Sequence, residues 1–338
     1  MATKMRMMPL FSTDDLANGE VSLGEGFFIR NVKGILSPDE FRLFQDDLSK
    51  KEIGECLSWD LCLVHEFESA FLRGPAEKRS ETLSFLVMTA FRWLQPTEAV
   101  STWSARMVRT PQDAWRLDGF TTRGNSRIFL ENYETAALAT PEKFQEAGSF
   151  IGDFKRILDA LDSKSYTFTP IVIGIRLAEQ AYLEPDVQLR FLKRMMALEA
   201  LVSTGEQYGA SALLSKVKSL LGKKTPIYLG VTDAYTVGNV LDDMCTIRNA
   251  FAHGSVAPQA FLEEKPEASV ASDNILSYAD VLREASAMMV RAVFLRIFRE
   301  GLVDIFADKS KMETFFTRGG ARPSTPRSNE SSASPNPD

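Results

Sequence analysis

From residue 168 to residue 306 the apolar residues recur at helical spacing in one segment after another, so the chain has to bury several helices against one another. Ile171 to Ala181 fits strand or helix on composition, its continuation into Gln180-Ala181-Tyr182-Leu183 favours helix, and Pro185 breaks it. Val187 to Ser203 follows, with Leu189, Leu192, Met195, Met196, Leu198 and Val202 as a broad apolar stripe. Ala210 to Leu221 is shorter and amphipathic, and Gly222 ends it. Asp233 to His253 carries Val237, Val240, Leu241, Met244, Ile247 and Phe251 on one side, with Gly254 suited to the position just past a helix end. Ser277 to Phe306 buries Leu282, Ala285, Met289, Ala292, Leu295 and Leu302. Helices joined in this way predict a helical bundle.

The N-terminal half carries weaker signals. Residues 1 to 25 are punctuated by Met, Gly and Ser without a sustained period and predict a loose leader, and Met1 to Leu10 has no adequate signal-peptide core. Ser37-Pro38-Asp39-Glu40 is a helix start: serine caps, proline suits the first turn, and Glu40 completes a capping box with Leu36 and Phe41 as staple. A helix over Ser80 to Leu94 puts Leu83, Val87, Ala90, Phe91 and Leu94 on one face, and Pro96 stops it. Residues 97 to 135 alternate in patches such as Trp103 to Val108, and both short strands and long loops fit. Thr140-Pro141-Glu142 opens a further helix whose apolar face uses Phe144, Phe150, Ile151, Phe154, Leu158 and Leu161. Arg318 to Asp338 is rich in Gly, Pro, Ser and Asn and predicts a disordered tail.

At 338 residues the chain exceeds one ordinary core, which argues for two domains or one with a large extension. The expected division is a leader (1–25), a mostly helical regulatory region with room for short strands (26–165), a helical bundle (166–308) and the tail (318–338). The fold class expected is mainly α.

Composition removes several function classes. No apolar run approaches the roughly 18 residues of a membrane span, and three cysteines cannot frame a disulfide-built domain, so a cytoplasmic protein is expected. A net charge of −6 argues against a protein that coats nucleic acid but leaves room for a small basic cleft. Arg190, Lys193 and Arg194 form one basic cluster; Lys216, Lys218, Lys223 and Lys224 form another. Cys56-x₅-Cys62-x₂-His65 has a metal-like look but lacks a fourth ligand, since Cys245 sits on a distant apolar helix; structural roles are expected, with no metal or cofactor. Gly24-Glu25-Gly26 has no phosphate-loop lysine and reads as a loop.

Arg248-Asn249-Ala250-Phe251-Ala252-His253-Gly254 holds the chemistry. It sets a permanent cation, an amide and one of only two histidines at a helix end, and a cation beside a group titrating near neutrality suits phosphodiester chemistry. Asn249 and His253, four apart, share a helix face, whereas Arg248 and His253, five apart, stand about 140° around the axis. One helix therefore does not aim both at one phosphate. Fraying at Gly254 or a second copy of the chain would resolve this. From the residues alone, two assignments stay open: a phosphate-handling site, or a helix-end histidine favoured by the dipole with Arg248 in an ordinary ion pair.

Together with Ala197-Leu198-Glu199-Ala200-Leu201 and the preceding Arg176 to Tyr182, the motif resembles the HEPN superfamily and, within it, the ApeA-like branch of bacterial helical proteins, over about 165 to 305. The resemblance implies a four-helix bundle that dimerises and so brings two Arg-x₄-His motifs together. Active members are metal-independent endoribonucleases. It further implies that His253 transfers the proton of the ribose 2′-hydroxyl or the leaving oxygen, that Arg248 stabilises phosphate charge and that Asn249 orients the site, leaving a 2′,3′-cyclic phosphate. Glu199 would support Arg248 across the bundle, and Lys216, Lys218, Lys223 and Lys224 are the candidates for RNA contacts. RNA and a second copy are then the partners, with a trigger ligand or protein at the N-terminal region, in phage defence or stress response. The alternative is a non-catalytic HEPN-like RNA-binding or protein-interaction module.

Overall fold

Ala2–Pro9 alternates Lys4, Arg6 and Met8 with Thr3, Met5 and Met7, the two-residue period of a strand. In the computed structural model, which describes residues 2–9, 20–31, 61–69, 74–94, 103–111, 115–122, 141–165, 167–182, 184, 186–203, 210–228, 235–253 and 278–318, this segment is β1. It is joined by β2 (Glu20–Gly24), β3 (Phe27–Asn31), β4 (Leu61–Ser69), β5 (Trp103–Arg109) and β6 (Trp115–Thr122) in one antiparallel six-stranded sheet of order β2-β3-β4-β1-β5-β6. The expectation of a loose leader is thereby corrected, because residues 2–9 and 20–24 are strands and β1 lies inside the sheet. Among its described residues the N-terminal region sets this sheet beside three helices, so the short strands expected there are part of a sheet of six. β1 has its partners in Ser69 to Cys62 and Val108 to Ala105, far along the chain, so no local pattern announces the pairing.

Both sheet faces are buried. One carries Met8, Phe27, Ile29, Leu63 and His65 and is covered by α1 (Pro75–Leu94) and α2 (Pro141–Ser149); the other carries Met5, Met7, Cys62, Val64, Ala105 and Met107, all at most 1% exposed. The expected loop at Gly24-Glu25-Gly26 is the β2–β3 turn, with φ of 83°, 54° and 78°. At Gly26 a Cβ atom would lie 2.5 Å from the Glu66 carbonyl oxygen, and Gly26 itself accepts the Glu66 amide at 2.8 Å. Gly26→Ala should therefore lower the urea midpoint by the equivalent of about 1–3 kcal/mol, and an unchanged midpoint would show that the turn relaxes without cost.

The helices continue with α3 (Ile151–Asp162), α4 (Thr169–Tyr182), α5 (Val187–Val202) and α6 (Ala210–Leu221). A small hairpin follows, β7 (Pro226–Tyr228) and β8 (Tyr235–Thr236), then α7 (Val237–His253), α8 (Tyr278–Arg299), α9 (Val303–Phe306) and α10 (Lys309–Thr317). The single helix expected to Phe306 stops earlier. Gly301, at φ 61°, lets its own amide reach Phe298 O (3.2 Å) and the Leu302 amide reach Ile297 O (2.8 Å), which closes α8 and turns the chain into α9. The helix α10 was not anticipated; Asp308 caps it by accepting the Ser310 and Lys311 amides. The capping box at residues 37–40, Cys56 and the tail from 319 lie outside the described residues.

The two halves share a continuous core. Trp93, at the end of α1, stacks on Phe294 of α8 with ring centroids 4.6 Å apart and 2° between planes, and meets Phe298 and Phe154 at 5.2 and 6.2 Å. Arg291 of α8 donates to the Trp93 carbonyl at 3.0 and 3.3 Å, and burial lowers its pKa to about 10. Arg92 pairs with Glu179 of α4. Among the described residues no helix is long and apolar enough to cross a membrane.

Candidate functional site

α7 starts where Thr236 accepts the Asn239 amide through its hydroxyl at 3.4 Å, and it buries Val237, Val240, Leu241, Met244 and Ile247. That is the apolar side the period predicted. Asn239, Asp242, Thr246 and Asn249 form the exposed stripe opposite. Arg248 stands on the flank between the two, with its side chain 34% exposed. Its Nη1 donates to Asn249 Oδ1 at 3.2 Å, and its Nη2 lies 3.5 Å from Glu199 Oε1 on α5. The cross-helix pairing of Glu199 with Arg248 is thus present. α7 is helical through His253, and Gly254, where fraying was expected, lies outside the described residues. The His253 backbone is then about 7.5 Å along the axis from that of Arg248 and about 140° around it.

Cys245 is buried beside this group. Burial first, then Asp242 and Glu199, raise its pKa to about 11 against Arg248 and Lys218, so the thiol stays protonated at neutral pH and is no nucleophile.

The four lysines are not gathered around Arg248. Lys218 pairs with Asp242 at 2.7 Å. Lys216 turns inward, donating to Val202 O at 3.0 Å and lying over the Phe316 ring, and burial lowers its pKa. Lys223 and Lys224 are exposed, but the Lys223 carbonyl accepts the Gly238 amide at the start of α7, ten residues and about 15 Å of helix from Arg248. The other basic cluster is spent on internal bonds. Arg190 donates to Glu184 O at 2.8 Å, Lys193 pairs with the Glu184 carboxylate, and Arg194 reaches the buried Ser286 hydroxyl at 2.8 Å.

Cys62 and His65 sit three apart on β4, so their side chains point to opposite faces of the sheet and cannot share a metal. His65 stacks on Phe27 at 3.8 Å, its Nδ1 is 2.7 Å from Ser80 Oγ, and burial, Lys155 and Arg6 lower its pKa to about 3. The imidazole is therefore neutral. The unfolded chain binds that proton near pH 6.5, so this contribution is complete above 6.5 and is lost as pH falls towards about 3, by up to about 1.4 kcal/mol per pH unit. His65→Gln should flatten the stability curve in that window; parallel curves for variant and wild type would exclude the effect.

Sequence reasoning missed a buried ion network where α1 meets the sheet. Lys4 Nζ and Arg6 Nη2 lie 3.8 and 3.9 Å from the Glu77 carboxylate, which also accepts from Arg106, and Arg106 Nε donates to Asp118 at 2.9 Å. The alternation of Lys4, Arg6 and Met8 was its one local signal. Compared with known proteins, the chain matches no family model, no curated protein and no solved structure.

Proposed function

We propose that the chain is a metal-independent, HEPN-type endoribonuclease that works as a homodimer, cytoplasmic, in phage defence or stress response. The observation that carries the reading is Arg248: a half-buried guanidinium with solvent access, held between Glu199 and Asn249 one helical turn and a half before His253. A fixed fork of donors suits phosphate oxygens, and an imidazole suits proton transfer. The helical backbone runs through His253, with the two groups about 140° apart around its axis. A second copy then completes the site, each scissile linkage meeting groups from both chains.

α5 supports that arrangement. Its outward side carries Leu189 and Met196, 37% and 42% exposed, and Met196 is one turn before Glu199. Apolar side chains left in water next to the site suit a partner copy of the same chain. The sheet and α1 would receive the trigger and restrain the nuclease. Expression of the wild-type chain should arrest growth of the host cell, and Arg248→Ala or His253→Ala should abolish the arrest. Toxicity that survives both substitutions would remove the reading.

One observation favours a second reading, a non-catalytic RNA-binding or interaction module: Arg248 already has a carboxylate partner of its own chain. On that reading His253→Ala leaves function intact, while charged residues at Leu189 and Met196 abolish it.

A further inference from the structure

Val202 is the last residue of α5, so its carbonyl is among the four that a helix end leaves without an intrahelical partner. The Lys216 ammonium fills that place at 3.0 Å and meets the negative end of the helix dipole. The same turn is tied a second time, by the Ser203 amide donating to Glu199 O at 2.9 Å. Glu199 is thus in the turn that Lys216 closes, and its carboxylate is the group that meets Arg248 at 3.5 Å. Behind Lys216 lies the ring of Phe316, 5.8 Å from the ammonium to the centroid, on α10, which packs on α6.

We propose that Lys216 is a positioning residue that locks the last turn of α5 so that Glu199 holds the Arg248 guanidinium in place, with the C-terminal helix α10 backing it through Phe316. This rests on the ribonuclease reading of Arg248 and replaces a direct RNA contact by Lys216. It also makes α10, which lies beyond the bundle proper, a part of the site's support.

The test uses the full chain with Lys216→Met and Lys216→Arg, each with and without Glu199→Gln. Cleavage of single-stranded RNA in EDTA is measured beside amide hydrogen exchange of residues 199–203. Lys216→Met should lower kcat about tenfold with KM within about twofold, Lys216→Arg should restore most of it, and the loss should shrink to less than about twofold in the Glu199→Gln background. Exchange of the last-turn amides should quicken about tenfold in Lys216→Met. A raised KM at unchanged kcat would instead mean direct RNA contact and overturn the proposal. An equal loss in both Glu199 backgrounds, or unchanged exchange, would overturn it too. If the wild-type chain cleaves no RNA, the ribonuclease reading fails separately. The exchange data and the additivity of the Lys216 and Glu199 effects on Tm then decide the positioning role, and full additivity with unchanged exchange overturns it.

Discussion

Trp93→Ala should cost about 3–5 kcal/mol and should unfold the sheet and the bundle in a single transition. The indole is 3% exposed and packs on Phe294, Phe298 and Phe154, rings from α8 and α3, while its own helix lies on the sheet. Removing it leaves a cavity where those elements meet, and the Arg291 contact to the Trp93 carbonyl fixes the backbone, so the site cannot simply collapse. Circular dichroism and hydrogen exchange through a urea series would follow both halves. Two separated transitions, with the bundle at its wild-type midpoint, would contradict a shared core.

The second large effect is on activity. Arg248→Ala and His253→Ala should each lower RNA cleavage by about 10²–10³-fold or more, the range for removing a charge-stabilising donor or a general acid–base. For Arg248 the stability cost should stay below about 1 kcal/mol, because its ion pair with Glu199 is half in water. Arg248→Lys keeps the charge but not the planar fork, so it should recover only part of the rate. Equal losses of Tm and activity in Arg248→Ala would assign the residue to folding instead.

The C-terminal helices were legible because their signal is local. Val187 to Ser203 was expected and Val187–Val202 is found, while Ala210 to Leu221 is found unchanged. The sheet was not legible, for a physical reason. β1 is buried on both faces, reads as methionine and basic residues, and takes its partners from beyond residue 60. Lys4 and Arg6 are buried beside the Glu77 carboxylate, a partner more than 70 residues away in sequence.

At the candidate site the helix period already placed the backbones of Arg248, Asn249 and His253 on one helix. It could not say where a lysine would point. Lys216 and Lys218 share one short helix, yet one is turned onto a backbone carbonyl and the other onto Asp242, because the ends and carboxylates of neighbouring helices decide it.

The most direct measurement is the chemistry of the RNA ends that the purified chain produces with EDTA present. Cleavage assisted by His253 through the ribose 2′-hydroxyl predicts 2′,3′-cyclic phosphate and 5′-hydroxyl ends, absent with either single alanine variant. Intact RNA alongside a toxic, correctly folded chain, or cleavage that continues in both variants, would contradict it.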